Sequence, residues 1–160
     1  MKKRGMALLG FAAFLTLLFA GCAQYERVQD DRPDLVSGQM TVFNEGCCLG
    51  LKNLAIYAES GEERKELFTK QGNVLDFKQY IKKLPQDIED GAKLLVEFEY
   101  SFSGGGSASL RMDQFTYGEI REQGVMICFD EVQPMIYFVL ENDLIGYAEE
   151  KGVFTLYEPQ

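Results

Sequence analysis

Leu94-Leu95-Val96-Glu97-Phe98-Glu99-Tyr100-Ser101-Phe102 alternates apolar and polar side chains with a period of two. Leu94, Val96, Phe98, Tyr100 and Phe102 fall on one face of an extended chain, and Glu97, Glu99 and Ser101 on the other, so the stretch is read as a strand with one buried face. Asp90-Gly91 turns the chain into it, and Ser103-Gly104-Gly105-Gly106-Ser107 lets it out as a mobile loop. A phosphate cradle is a poor reading of those glycines, because the following helix and the Lys-Ser/Thr pair of a P-loop are missing.

The same period continues on both sides of this strand. Downstream, Leu110 and Met112 alternate, as do Val125, Ile127 and Phe129. Met135 to Leu140 is a continuous apolar run, the pattern of a strand buried on both faces. Turn residues at Asn142-Asp143 and Glu150-Lys151-Gly152 then set off Leu144–Ala148 and Val153–Tyr157. Upstream, Met40–Phe43, Leu49–Tyr57 and Leu67–Thr69 are bracketed by Gly46 and by Glu59-Ser60-Gly61-Glu62. Val74, Phe77, Ile81 and Leu84 break the rhythm. Their spacings of three and four predict one short amphipathic helix, capped by Asn73 and limited by Pro85, whose apolar stripe plugs the core. Residues 39–160 are therefore expected to form a single, mainly β, antiparallel domain with one short helix.

Before this domain the chain changes character twice. Lys2, Lys3 and Arg4 precede an uncharged apolar run from Met6 to Ala20, which is too short to span a bilayer and reads as a secretory signal. Residues 22–38 are polar and acidic around Pro33, with little periodicity, and are expected to be a flexible tether. Of 16 basic residues, three lie in the first 21; the remaining 13 against 25 acidic residues leave residues 22–160 with a formal charge of −12. That balance argues against nucleic acid and against electrostatic adhesion to anionic headgroups, and favours solubility or a cationic partner.

Leu17-Leu18-Phe19-Ala20-Gly21-Cys22, placed after the apolar run, resembles the lipobox of bacterial lipoproteins. The resemblance implies cleavage after Gly21, removal of residues 1–21 and acylation of Cys22. Two or three acyl chains give a lasting anchor where one gives only marginal binding. With Ala23 rather than Asp after the cysteine, the pattern resembles the class directed to the outer membrane of a two-membrane bacterium. Further on, Leu84-Pro85, Glu89-Asp90-Gly91, the strand ending in Tyr100 and Ile127-Cys128 resemble small Bacteroidota lipoproteins of unknown function. That second resemblance implies a small barrel-like, OB-like domain.

The chain offers little conventional chemistry. It has no histidine, so the commonest general base near neutral pH is missing, and it has no Gly-x-Ser-x-Gly elbow. Glu97 with Glu99, or Asp130 with Glu131, could serve as paired carboxylates for glycoside hydrolysis. The first pair, however, sits on the solvated face of its strand and the second at a strand end. Cys47, Cys48 and Cys128 lie in a compartment where disulfides persist: Cys128 can bridge to Cys47 or Cys48, or the vicinal pair can join. Redox work by Cys47-Cys48 would lack the Cys-x-x-Cys spacing. A structural zinc site wants four nitrogen or sulfur ligands, and neither metal nor cofactor is expected. The sequence thus describes a lipid-anchored cell-envelope module that binds or supports and does not catalyse. Its partners are the membrane through Cys22 and an envelope protein or cell-wall component, met by the loops Ser103–Ser107 and Gly118–Gly124. Two alternatives stay open: an inhibitor of a cationic envelope-attacking protein such as lysozyme, and a thiol-redox protein or enzyme.

Overall fold

The computed structural model describes residues 34–46, 49–130, 134–140, 143–150 and 152–157. The signal, Cys22, most of the tether, Cys47, Cys48 and Glu131 lie outside these residues. Among the described residues ten strands and one α-helix follow in order: β1 (Gln39–Asn44), β2 (Lys52–Ser60), β3 (Glu63–Asn73), β4 (Lys78–Lys83), β5 (Lys93–Tyr100), β6 (Gly106–Met112), α1 (Tyr117–Gln123), β7 (Val125–Phe129), β8 (Met135–Leu140), β9 (Asp143–Glu150) and β10 (Val153–Tyr157). The strands form two sheets, one of six in the order β10-β9-β8-β7-β1-β4 and one of four in the order β3-β2-β5-β6.

Strand β5, the opening stretch of the sequence, lies inside the four-stranded sheet with its predicted faces. Leu94 and Val96 are fully buried, Phe98 and Tyr100 nearly so, and Glu99 is exposed. These side chains share one apolar cluster with Met40 and Val42 of β1, Ile127 and Phe129 of β7, and Ile136 and Phe138 of β8. Phe98 meets Phe129 edge to face at 5.7 Å and Phe154 of β10 at 5.5 Å. Such ring pairs contribute about 0.5–1.5 kcal/mol each beyond their buried area, so Phe98 ties the two sheets together through both β7 and β10. The exit from β5 is tighter than the predicted loop: a single 3-10 turn (Phe102–Gly104) leads straight into β6. A Cβ at Gly106 would stand 2.9 Å from the Tyr100 hydroxyl oxygen, so a side chain there would push aside the tyrosine ring that crosses the hairpin.

Strands β7 and β8 are buried on both faces. In β8, Ile136 and Phe138 enter the inter-sheet cluster, while Met135 and Tyr137 join Met126 and Cys128 in a second cluster on the opposite face of the six-stranded sheet. This is why the β8 sequence reads as a continuous apolar run; β7, expected to alternate, is buried on its second face as well. Leu35, just ahead of β1, packs against the second cluster, and Gly38 N donates to Arg121 O at 2.8 Å.

Three expectations are corrected. The strands do not close a barrel among the described residues; β10 and β6 belong to different sheets. The sheets are joined near that side by side chains instead, through the Tyr100–Phe154 rings at 5.4 Å and the Tyr147 hydroxyl, which donates to Arg111 O at 3.0 Å. Nor is the domain wholly antiparallel, because β1 and β7 pair in parallel, from Met40 opposite Val125 to Asn44 opposite Phe129.

The predicted helix over residues 73–85 is also absent. In its place β4 pairs antiparallel with β1, Gln39 opposite Lys83 through Asn44 opposite Lys78. Val74 and Leu84 are buried at its two ends, but Phe77 is 73% and Ile81 59% exposed, so only half of the apolar stripe reaches the core. A short isolated helix is marginal, whereas the second edge of β1 carries backbone groups that need partners, and the strand wins. Among the described residues the α-helix lies instead at Tyr117–Gln123, in the segment expected to be a loop.

Candidate functional site

Glu97 and Glu99 emerge on the outward face of the four-stranded sheet, as their alternation requires. Glu97 accepts a bond from Arg64 Nη1 at 2.9 Å, and Arg64 Nε reaches Glu59 at 3.0 Å. Arg111 Nη1 then bonds Glu59 at 2.9 Å and its Nε bonds Asp113 at 2.8 Å. The result is a chain of alternating charge, Glu97-Arg64-Glu59-Arg111-Asp113, laid across all four strands. Glu59, and after it Glu97, hold the Arg64 guanidinium above its ordinary value. Two catalytic carboxylates must converge on one substrate bond; here Glu97 is engaged with an arginine that is itself shared. Its geometry is that of a cross-strand ion pair.

The parallel pairing of β1 with β7 sets the surroundings of Asp130. Both strands run the same way, so Glu45 after Asn44 and Asp130 after Phe129 leave from the same end of the sheet. Three polar residues are buried there: Asn44, Glu45 and Asp130. Asn44 Nδ2 donates to Val74 O at 3.2 Å and to Asp76 Oδ1 at 3.1 Å, while Asn44 Oδ1 accepts from Gly46 N at 3.2 Å. Glu45 N donates to Phe129 O at 3.0 Å and Asp130 N to Met135 O at 2.9 Å. The arrangement fixes the exits of two strands in a low-dielectric setting where an unpaired group is costly. Among the described residues no group of three or more Cys, Asp or Glu side chains is placed to hold a metal ion.

Cys128 stands opposite Phe43 in the register and turns into the second apolar cluster, away from the inter-sheet core. There is no disulfide among the described residues, and both of its candidate partners lie beyond them.

The two segments expected to be adaptable loops are built differently. Ser103–Ser107 stays exposed, but as a tight hairpin turn. Gly118–Gly124 is mostly α1. Thr116 caps the helix, its Oγ1 accepting from Glu119 N at 3.4 Å, and the Glu119 carboxylate accepts from Thr116 N at 2.7 Å. Those bonds from Thr116 hold the Glu119 carboxyl below the usual carboxylate range. Tyr117 and Ile120 are fully buried. Burial pushes the Tyr117 phenol up to about 12, and its hydroxyl donates to Pro85 O at 3.0 Å. Arg121 pairs with Asp90, so the outer face is pinned too.

The sequence reading passed over the surface around β4. Leu75, Phe77 and Ile81 are exposed there beside Lys78, Lys82 and Lys83. Three lysines without an acid between Phe77 and Leu84, in an acidic chain, was the available signal. None of the described helices is long and apolar enough to cross a membrane. Comparison of the chain with protein-family models, with curated proteins and with solved structures found no match.

Proposed function

We propose that this chain is a lipid-anchored cell-envelope protein whose β domain works as a non-catalytic binding or structural module. The observation that carries the reading is the order of residues 2–22: a basic start, an uncharged apolar run, small residues, then Cys22. The domain supports it by its starting point. The compact β unit begins at Leu35, 13 residues after Cys22, and an extended chain of that length reaches at most about 47 Å at roughly 3.6 Å per residue. A domain held so near the bilayer meets envelope partners at high effective concentration. Of the carboxylates considered for catalysis, Glu97 is engaged with Arg64 across the sheet.

A second reading, inhibition of a cationic envelope-attacking protein such as lysozyme, draws on the formal charge of −12 over residues 22–160. Binding of that kind weakens as salt shortens the screening length to about 8 Å and below. Palmitate labelling in cells tests the anchor. Label is expected in the wild-type chain and absent from Cys22→Ala; label that persists in the substituted chain overturns the assignment.

A further inference from the structure

We propose that β4 and the turn before it form a docking surface for anionic lipid headgroups, by which the domain lies against the membrane that anchors it. The proposal rests on the lipid-anchor reading and adds a second contact to it. Strand β4 is an edge of the six-stranded sheet, hydrogen-bonded to β1 alone. Leu75, Phe77 and Ile81 are 57%, 73% and 59% exposed, an apolar set at the turn and along the strand. The sequence FKQYIKKL from Phe77 to Leu84 contains three lysines and no acid.

Local charge is what a nearby headgroup meets, and here it opposes the net charge of the chain. The residues of β1 that face β4 are Gln39, Met40, Thr41, Val42, Phe43 and Asn44, none of them charged. No carboxylate pairs with Lys78, Lys82 or Lys83 among the described residues. Asp76, the nearest acid in sequence, accepts a bond from Asn44. Lys82 is exposed, and its Nζ lies over the Phe68 ring, 5.8 Å from the centroid.

Lysines on an edge strand have an ordinary purpose, which is to discourage pairing with another strand. That purpose does not explain the apolar side chains, which do the opposite. Phe77 is the most telling of them. Its backbone takes φ of 54°, a left-handed conformation that bulky residues avoid, and its ring lies over Gly46, where an added Cβ would come within 2.6 Å of it. The ring is thus seated on the exit of β1 with most of its surface still in solvent. An apolar ring set beside lysines matches the bilayer interface, where rings and aliphatic groups sink into the acyl boundary and ammonium groups remain with anionic phosphates. Because the anchor makes docking intramolecular, a weak contact suffices.

The chain contains no tryptophan, so Phe77→Trp supplies a single reporter, and Leu156→Trp on β10 at the other edge of the sheet supplies a control. The lipidated full-length chain would be reconstituted in vesicles of phosphatidylcholine, with or without phosphatidylglycerol, carrying brominated acyl chains. Flotation reports the anchor, and quenching of the indole reports docking. The indole at position 77 is expected to lose most of its emission in anionic vesicles, to recover it in high salt or when Lys78, Lys82 and Lys83 are together replaced by Gln, and to be quenched far more than the indole at 156. A chain that floats but shows no such difference overturns the docking while leaving the anchor intact. A chain that does not float after palmitate labelling has failed overturns both. An indole shielded from iodide in native envelopes, yet unquenched by brominated lipid, assigns β4 to a protein or a second copy and overturns the lipid surface.

Discussion

Asn44 and Tyr80 sit on neighbouring strands and show how differently buried polar groups can be treated. The Asn44 amide uses its donors on Val74 O and Asp76 and its acceptor on Gly46 N, fixing the exit of β1 to the entry of β4. The Tyr80 hydroxyl is buried with no hydrogen-bond partner among the described residues, although its ring packs against Phe68 at 5.5 Å. A typical intramolecular hydrogen bond adds about 0.5–1.5 kcal/mol net, and orphaning a buried group costs about 1–3 kcal/mol. Asn44→Ala is therefore expected to lower unfolding stability by roughly 2–4 kcal/mol, since it removes several bonds and strands their partners. Tyr80→Phe, which keeps the ring and deletes an unsatisfied oxygen, should be neutral or stabilising by up to about 1 kcal/mol. Urea unfolding midpoints of the two variants decide it, and a costly Tyr80→Phe would mean that the hydroxyl has a partner.

At the level of elements, the contrast between β4 and α1 separates what was legible from what was not. Val74, Phe77, Ile81 and Leu84 have true helical spacing, but spacing is only a statement about which residues could share a face. The need of β1 for a second hydrogen-bonded neighbour lies some 40 residues away in sequence and leaves no local trace. In α1 the trace was present, as Thr116 and Glu119 form the S/T-x-x-E pattern of a capping box, but only Tyr117 and Ile120 supply an apolar face over its two turns. A consequence separates strand from helix at β4: Leu84→Ala should cost about 2–5 kcal/mol, as for other buried leucines. Phe77→Ala should cost little or nothing, where a core-facing helix would make both severe. Chevron or equilibrium unfolding of the pair reads the difference.

The capping box also sets a pH dependence. Glu119 has its folded-state pKa depressed by the bonds from Thr116, so its contribution is complete above the ordinary carboxylate range and is lost as pH falls through the lower, folded value. Wild type should then lose α1 stability in acid more steeply than Glu119→Gln, which does not titrate. Amide exchange of residues 117–123 against pH measures this, and parallel profiles would remove the box from the acid response.

For the whole molecule, alternation revealed which side chains point inward without revealing which strands are neighbours. The faces of β5 and the double-sided burial of β8 could be read directly from period and composition. The division into two sheets and the parallel β1–β7 pair could not, because they join residues as distant as Met40 and Val125 and are settled by global packing. The same pairing gathers Asn44, Glu45 and Asp130 at one strand end, an association invisible in their sequence positions. The candidate site was likewise half legible: Glu97 and Glu99 were placed on the correct face, while the ion-pair chain through Arg64 and Arg111 depends on strand order.

Beyond the domain, the proposed place of the chain in the envelope rests on Cys22, which no feature of the sheets determines. The most direct test is mass analysis of the N-terminal peptide of the protein extracted from its own membranes. A lipid anchor requires Cys22 as the first residue, carrying diacylglycerol and further acylation. A peptide that begins at Met1, or at an unmodified residue past the apolar run, would contradict it.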